Sequence, residues 1–217
     1  MITVLGRRNS ANVQKVMWTL GELGLDYQRE DVGGSFGYPD DYANPNPVVP
    51  SIIDGELTVW ESNACVRHLA RKYGQGTLWP IDSATLATAD MWMEWQRSEP
   101  FNSFFLVFQM MIRGLAGSPE RLERAQQNCV SAFTTLDKQL QGKTFICGDH
   151  LTMADIVIGA VGFRYMTLPI ERAKLPAMEA WYERLTQRET YQKHVMIEYG
   201  SNVDEWNAHE QANAGIQ

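Results

Sequence analysis

The residues best suited to chemistry lie between the first predicted strand and the first predicted helix, in the stretch Gly-Arg-Arg-Asn-Ser-Ala-Asn-Val. Ser10 and Asn12 fall where the helix begins, and a helix N-terminus stabilises an anion such as a thiolate. Arg7, Arg8 and Lys15 supply local positive charge. A structural alternative fits the same pattern: Ser10 caps the helix, and the arginines belong to a solvated turn.

Glu61 and Ser62 form a second group at the start of another predicted helix. Ser62 can cap that helix, and the free N–H groups beside it favour a carboxylate, while Glu61 can pair with an ammonium group. An anion site beside a cation acceptor suits the head group of an amino acid. Taken alone, a Glu-Ser pair is also fully explained by helix capping.

Two further motifs bear on the fold. Val49-Pro50 precedes a predicted hairpin. Proline cannot donate to a strand ladder, and the bonds before proline are where cis peptides occur, although an ordinary loop proline is the alternative. Thr152 and Asp155 have the spacing of a capping box, which is a folding signal and not a catalytic one.

The periodicity of the apolar residues divides the chain into two parts. Residues 1–76 are predicted to form strand, helix, strand, two hairpin strands and helix. Gly74 to Ser83 is interpreted as a linker, and residues 84–200 contain only helix-like segments. Thr152 to Phe163 is apolar on nearly every side and predicts a buried central helix, whereas residues 201–217 form a polar tail that we expect to be loosely held. The predicted fold is an α/β domain followed by an all-α domain.

Bulk composition limits the classes of partner. A formal net charge of −7 argues against a nucleic-acid backbone. The three cysteines include no CxxC pair, which favours a reducing compartment over a disulfide framework. The sequence shows no secretory signal pattern, and its most apolar stretch is far shorter than the ~20 residues that span a membrane. The four histidines lack metal-ligand spacing. We therefore expect a soluble, cytoplasmic protein without membrane, nucleic-acid or metal partners.

In their order and spacing these motifs resemble the cytosolic glutathione transferase family over about residues 1–195, and the Gly-Arg-x-x-Ser-x-Asn-Val stretch most resembles its bacterial, theta-like members. Val49-Pro50 is similar to the family's cis-proline loop and Glu61-Ser62 to its glutamyl-binding motif. Gly148 to Asp155 is similar to its buried-helix capping motif. Pro47 departs from the pattern, because the family usually has Gly there. This proline should stiffen the loop without abolishing binding.

The resemblance implies a thioredoxin-like N-terminal domain that binds glutathione as co-substrate, a helical-bundle C-terminal domain and no prosthetic group. Val49, with Pro50, would hold the cysteinyl backbone of glutathione. Glu61 and Ser62 would hold its γ-glutamyl amino and carboxylate groups. Ser10 would donate a hydrogen bond to the sulfur, with Asn12 as helper or alternative. Ser10 is slightly favoured, and the choice between the two stays open.

The helical domain would shape the pocket for a hydrophobic or halogenated electrophile. The candidate pocket residues are Arg8, Phe104, Phe108, Met111 and Arg113. Arg113 is a candidate to reach a substrate carboxylate, and a solvated arginine is the alternative. Most of the aromatic residues of the first long helices are expected in the core or in a homodimer interface, which the resemblance and their apolar load both favour, and a minority could line the pocket.

The residue types also limit the class of transferase. No Tyr occupies the strand exit and no Cys lies near Ser10, which disfavours the tyrosine-type classes and the cysteine-type, disulfide-exchanging ones. Cys65 occupies an apolar helical position and is interpreted as core packing. The predicted function is activation of the glutathione thiol for attack on an electrophile. The alternatives are glutathione-dependent dehalogenation, disulfide reduction, or a non-catalytic regulatory protein of the same fold.

Overall fold

A four-stranded sheet with two helices forms the first part of the protein, whose computed structural model describes residues 1–217. The elements are β1 (Ile2–Leu5), α1 (Ala11–Glu22), β2 (Tyr27–Glu30), β3 (Ser51–Asp54), β4 (Leu57–Trp60) and α2 (Ser62–Tyr73). The strand order is β2-β1-β3-β4; β1 pairs parallel with β2 and antiparallel with β3. Because parallel strands need a crossover, α1 links β1 to β2. This is the predicted order of elements and a thioredoxin-like sheet.

After α2 the chain forms only helices and no further strand, as the change of periodicity predicts. They are α3 (Ser83–Ser98), α4 (Pro100–Met111), α5 (Pro119–Leu140), α6 (Met153–Thr167), α7 (Pro176–Thr186), α8 (Glu189–His194) and α9 (Val203–Ala212). None of them is both long and apolar enough to cross a lipid bilayer. The predicted fold class, an α/β domain followed by an all-α domain, is therefore confirmed.

The buried central helix is α6, in which thirteen of fifteen residues are buried. Its start carries the predicted capping box. The Thr152 backbone N–H donates to Asp155 Oδ2 at 2.9 Å, while Oδ1 accepts from the Ile146 N–H and from Trp181 Nε1, each at 2.9 Å. Asp155 therefore ties the start of α6 to the preceding loop and to α7.

The two parts of the chain share packing surfaces. Trp18 of α1 belongs to the large core cluster of the helical part, and its indole ring meets the Tyr191 ring of α8 edge-on, with centroids 4.7 Å apart. Glu22, at the end of α1, accepts hydrogen bonds from Trp18 Nε1 and Arg188 Nε, both at 2.8 Å. Helix α1, whose N-terminus carries the candidate catalytic residues, is therefore fixed against α8 and the residue before it, Arg188.

The C-terminal tail differs from the expectation that it is loosely held. Residues 203–212 form α9, in which Trp206 and Glu210 are each only 3% exposed. Arg29 of β2 donates to the Ile216 carbonyl oxygen, at 2.7 Å from Nη2. The polar composition suggested a loosely held segment, but several polar groups of the tail bind partners from the first 35 residues of the chain, such as Ser35, whose Oγ donates to Glu210 Oε1 at 2.7 Å.

Candidate active site

The N-terminus of α1 presents unused polar groups. Ser10 stands at the N-cap position, yet its hydroxyl makes no capping hydrogen bond. Gly6 lets this turn pass closely over the sheet, because a Cβ at that position would lie 2.5 Å from Val13 Cγ2 and 3.3 Å from Val49 Cβ. Ser10 and Asn12 are both only partly buried, and the Ser10 hydroxyl is free to serve another partner.

The N-terminus of α2 is built around a strained residue. Glu61 is the only non-glycine residue with positive φ, at 68°, a conformation that costs an L-residue roughly 1–2 kcal/mol. Ser62 is the first residue of α2 and does not cap it, contrary to the capping interpretation. Its hydroxyl instead donates to Asn12 Oδ1 at 3.2 Å and accepts from Lys15 Nζ at 3.3 Å.

Lys15 lies buried beneath these two helix starts. Its ammonium group donates to Ser62, to Asn63 Oδ1 at 3.1 Å and to Gln96 Oε1 at 3.2 Å. Burial lowers the pKa of Lys15 to about 7, with nearby Glu61 acting in the opposite direction. No carboxylate lies within ion-pair distance of this charge, so it is available to an anion bound above Ser62.

A groove of about 610 Å³ joins the predicted ligand-binding residues; we call it the peptide groove. From the first part of the chain it is lined by Asn12, Val48, Val49, Pro50, Glu61 and Ser62, and from α3 and α4 by Glu94, Arg97, Ser98, Phe101 and Asn102. Its size lies within the usual range for ligand sites. The Val49–Pro50 peptide bond is cis, as the resemblance implies. The structure thus brings Asn12, Val49, Pro50, Glu61 and Ser62 together.

A second, smaller cavity of about 50 Å³ lies on the other side of Asn12; we call it the aromatic cavity. It is lined by Arg7, Ser10, Ala11, Asn12, Phe101, Phe104, Phe105, Phe108, Arg113, Arg164 and Trp206. Three of the residues predicted for an electrophile pocket are among them: Phe104, Phe108 and Arg113. Asn12 and Phe101 line both spaces, so the two sites meet at the start of α1.

Two residues predicted for the electrophile pocket lie elsewhere. Arg8 turns toward the tail and α8, where its Nη1 donates to Asn213 Oδ1 at 2.5 Å and its Nη2 to the Lys193 carbonyl oxygen at 3.0 Å. Met111 faces α5, with its sulfur 4.0 Å from Gln126 Nε2. The neighbouring Arg7 lines the aromatic cavity in place of Arg8.

The sequence interpretation missed several cavity residues. Arg164 is buried in α6, where it is the only charged residue apart from Asp155 of the capping box; a basic side chain in this largely apolar helix was a readable signal. Lys15 was noted only as local charge, although it too falls in a buried stretch of helix. Phe105 belonged to the aromatic group that the sequence could not sort, and Trp206 gave no local signal because its position depends on how α9 packs.

No thiol of the protein belongs to the site. Cys65 is buried under β4, and burial raises the pKa of its thiol to about 12. Burial likewise raises the pKa of Cys129 and of Cys147 to about 11. None of the three lines the peptide groove or the aromatic cavity, and Cys65 packs in the core as expected.

These features define a class of two-domain protein: a thioredoxin-like domain with a cis-proline loop and a second helix whose start lines a groove, joined to a helical domain that adds a second cavity. Comparison with known proteins agrees with this class. The glutathione S-transferase N-terminal domain matches residues 1–71, and the glutathione S-transferase C-terminal domain matches residues 119–184.

Individual relatives extend over nearly the whole chain. Glutathione S-transferase GstB of Escherichia coli K12 is 36% identical over 208 residues, which cover 91% of this chain and 99% of the relative. Glutathione S-transferase 3 of Zea mays is 30% identical over 207 residues, which cover 89% of this chain and 93% of the relative. The crystal structure of the theta class glutathione S-transferase from Xanthomonas axonopodis pv. citri with glutathione bound matches with a TM-score of 0.85 and 38% sequence identity. The match covers 90% of this chain and 97% of that structure. The chain belongs to the glutathione S-transferase family.

Proposed function

We propose that this glutathione transferase binds glutathione in the peptide groove and directs its sulfur toward an electrophile in the aromatic cavity. The observation that carries the proposal is the position of Asn12, which lines both spaces. A molecule that reacts across the two sites must pass this residue. Glutathione is a co-substrate here, and the residues suggest no role for a prosthetic group.

The charges of the groove match the two ends of the γ-glutamyl group. Its carboxylate fits the free N–H groups at the start of α2, beside the Ser62 hydroxyl and above the Lys15 ammonium. Its ammonium group pairs with Glu61, the residue of positive φ that lines the groove. The backbone of Val49 serves the cysteinyl unit, which places the sulfur near the start of α1.

Activation of the thiol requires donors and no general base. A free cysteine thiol has a pKa of roughly 8.5, so most of it is the unreactive thiol at neutral pH. The carbonyl oxygen of the Asn12 amide is taken by Ser62, which leaves its N–H groups as donors. Ser10 lines only the aromatic cavity. We therefore assign the primary hydrogen bond to Asn12 and a second one to Ser10, reversing the preference drawn from the sequence.

The test is the thiolate absorbance of bound glutathione against pH in the parent protein, Ser10→Ala and Asn12→Ala. Loss of a donor should raise the pKa of the bound thiol by about one to two units, at about 1.4 kcal/mol each. We expect the larger shift in Asn12→Ala. Conjugation of glutathione to an activated aryl chloride is followed in parallel. If neither titration curve moves, the two donors are wrongly assigned.

Two of the alternative functions are less well supported. Disulfide reduction of the cysteine-exchange type needs a protein thiol at the site, and none lines it. A non-catalytic regulatory role gives no reason for a polar, unsatisfied helix start between two cavities. Dehalogenation is the same thiolate chemistry with a halide as leaving group, so it falls within the proposed function.

We also propose a cytoplasmic homodimer. Apolar side chains exposed on α3 and β4 support an interface, among them Met91, which is 63% exposed, and Leu57 at 50%. Sedimentation at micromolar concentration is expected to give about twice the chain mass of 24.6 kDa. A species at the chain mass would contradict the dimer. Free thiols in the absence of any disulfide suit a reducing compartment.

A further inference from the structure

Four polar side chains form a continuous chain of hydrogen bonds beneath the two helix starts; we call it the Lys15 relay. It runs from Gln96 of α3 through Lys15 of α1 and Ser62 of α2 to Asn12 of α1. Gln96, Lys15 and Ser62 are buried, and Asn12 at the end of the relay is partly exposed. Buried polar groups are costly unless they are paired, so the direction of each hydrogen bond in the relay is constrained.

The Lys15 ammonium group sets the direction of the first bonds. An ammonium has three N–H donors and no lone pair, and its three partners are the side-chain oxygens of Ser62, Asn63 and Gln96. Asn63 is oriented independently: its Nδ2 donates at 3.0 Å to the Met93 carbonyl oxygen, which can only accept, so its Oδ1 is left for Lys15. The Ser62 hydroxyl must therefore accept from Lys15 and donate its own proton elsewhere.

The proton of Ser62 decides which side of the Asn12 amide is left for a ligand. Ser62 Oγ donates to Asn12 Oδ1 at 3.2 Å, so the amide oxygen is committed and the N–H groups stay available. A neutral amine at Lys15 would allow the reverse order, because its lone pair accepts from the Ser62 hydroxyl. Ser62 would then accept from Asn12 Nδ2, and the free amide oxygen would repel a thiolate.

The charge at the centre of the relay is not neutralised by a carboxylate in contact with it. The charged residues that line the space beside Lys15 are Glu61 before α2, Arg67 of α2, and Glu94 and Arg97 of α3. Arg67 and Glu94 pair with each other. Glu61 favours the ammonium form of Lys15, and Arg97 opposes it. The ammonium is thus held by neutral oxygens, which fix its position and leave its charge to act on the ligand and on the relay.

Resting on the proposed function, we propose that Lys15 is a positioning residue for activation of the glutathione thiol. Its ammonium group sets the direction of the Ser62 hydroxyl, which leaves the N–H side of Asn12 to the sulfur. Gln96 supports the ammonium from α3, so the helical domain takes part in activation through this one amide oxygen. This role differs from attraction of the glutathione carboxylate, because it acts only through Asn12.

A double-mutant cycle between Lys15 and Asn12 distinguishes the relay from attraction through space. The readout is the pKa of the thiol of bound glutathione, from thiolate absorbance against pH at saturating glutathione. Lys15→Met should raise this pKa by about one unit in the parent protein, a tenfold loss of thiolate below the pKa, and by less than about 0.3 units in Asn12→Ala. Attraction through space does not need Asn12, so equal rises in the two backgrounds would overturn the proposal.

Lys72→Met is the matched control for loss of a lysine. Lys72 donates to Asp54 at 2.8 Å and lies outside the peptide groove, so the thiol pKa should stay within about 0.3 units of the parent value. A rise as large as that in Lys15→Met would show that any lost positive charge has the same effect, and the relay would be rejected.

Two variants of Gln96 keep the test decisive if Lys15→Met does not fold. Gln96 Nε2 has no hydrogen-bond partner, so Gln96→Glu keeps the acceptor that Lys15 uses, whereas Gln96→Leu removes it. Gln96→Leu should raise the pKa of the bound thiol by about half a unit, and Gln96→Glu should raise it less. A carboxylate that acted on the thiolate through space would give the opposite order, because a nearby negative charge disfavours ionisation, and that order would contradict the relay.

The single variant Asn12→Ala separates failure of the relay from failure of the proposed function. If Asn12→Ala raises the pKa of the bound thiol and Lys15→Met does not, Asn12 remains the donor and only the relay is rejected. If Lys15→Met raises the pKa and Asn12→Ala does not, the assignment of Asn12 as donor fails, and the relay fails with it.

Discussion

Two kinds of helix N-terminus stand side by side in this protein. At the start of α6 the Asp155 carboxylate is fully used, accepting from the Ile146, Thr152 and Trp181 N–H groups. At the start of α1 the Ser10 hydroxyl caps nothing, and at the start of α2 the Ser62 hydroxyl turns to Asn12 and Lys15. All three positions carry residues that capping rules favour.

This difference distinguishes a helix start that stabilises the fold from a helix start that can bind a ligand. A helix start whose polar groups are satisfied within the protein has nothing left to offer a ligand, and its residues stabilise the fold. A helix start with free N–H groups and uncommitted side chains is less stable by itself but receives an anion. The variants below test the contrast, in order of decreasing expected effect.

The largest effect is expected from Asp155→Ala. The change leaves the buried Ile146 and Trp181 N–H groups and the Thr152 backbone N–H without acceptors, and each unsatisfied group costs about 1–3 kcal/mol. The free energy of unfolding in urea should fall by at least about 3 kcal/mol. Ser118→Ala is the control, since its cap on α5 is exposed and is worth only about 1 kcal/mol. Equal losses in both variants would contradict the special role of Asp155.

Replacement of Glu61 should separate affinity from stability. Glu61→Ala and Glu61→Gly both remove the partner of the ligand's ammonium group, so glutathione affinity by calorimetry should fall about ten- to hundredfold in each. Glycine accepts a φ of 68° without strain, and Glu61→Gly should be about 1 kcal/mol more stable than Glu61→Ala. Undiminished affinity in both variants would remove Glu61 from the site.

Lys15 should make binding depend on pH. Its pKa of about 7 rises when a carboxylate binds above it, so the complex takes up protons and affinity falls as pH rises above about 7. If the pKa rises by about one unit, the affinity falls about tenfold across the transition. S-methylglutathione is the ligand of choice, because it has no thiol to ionise.

Calorimetry of S-methylglutathione at pH 7.5 in buffers of different ionisation enthalpy measures this proton uptake directly. We expect about half a proton per ligand in the parent protein and almost none in Lys15→Met. The surface variant Lys72→Met serves as the control, because Lys72 lies outside the groove. Proton uptake that survives in Lys15→Met would assign it to another group.

The smallest effect is expected from Ser10→Ala on stability. Because the Ser10 hydroxyl makes no capping bond, the free energy of unfolding should change by less than about 0.5 kcal/mol, below the typical value for a working cap. The same variant is expected to alter the titration of bound glutathione. A stability loss equal to that of Ser118→Ala would show that Ser10 caps α1 in solution, and the contrast between helix starts would weaken.

Local signals of the sequence were sufficient for much of this arrangement. The capping box was predictable because Thr152 and Asp155 are three residues apart, and the order of strands and helices follows from their apolar periods. The groove residues were found through the resemblance, since Val49-Pro50 and Glu61-Ser62 are short contiguous motifs.

Features that depend on distant partners were not predictable. Arg7 and Glu210 pair across almost the whole chain, and nothing near either residue reveals the other. The directions of Arg8 and Met111 depend on α8, α5 and the tail. The docked α9 was expected to be a loosely held tail for the same reason: its buried Glu210 is satisfied by Arg7 and Ser35, which lie far away in the sequence.

The wall that α9 contributes also fixes the order in which the site can assemble during synthesis. Every residue that lines the peptide groove has been made once Asn102 is added, whereas the aromatic cavity waits for Trp206. At ribosomal rates of about 5–20 residues per second, the interval is roughly 5–20 s. A nascent chain therefore carries the residues of the groove before it can enclose an electrophile, and the thiol-binding half of the enzyme matures ahead of its reactive half.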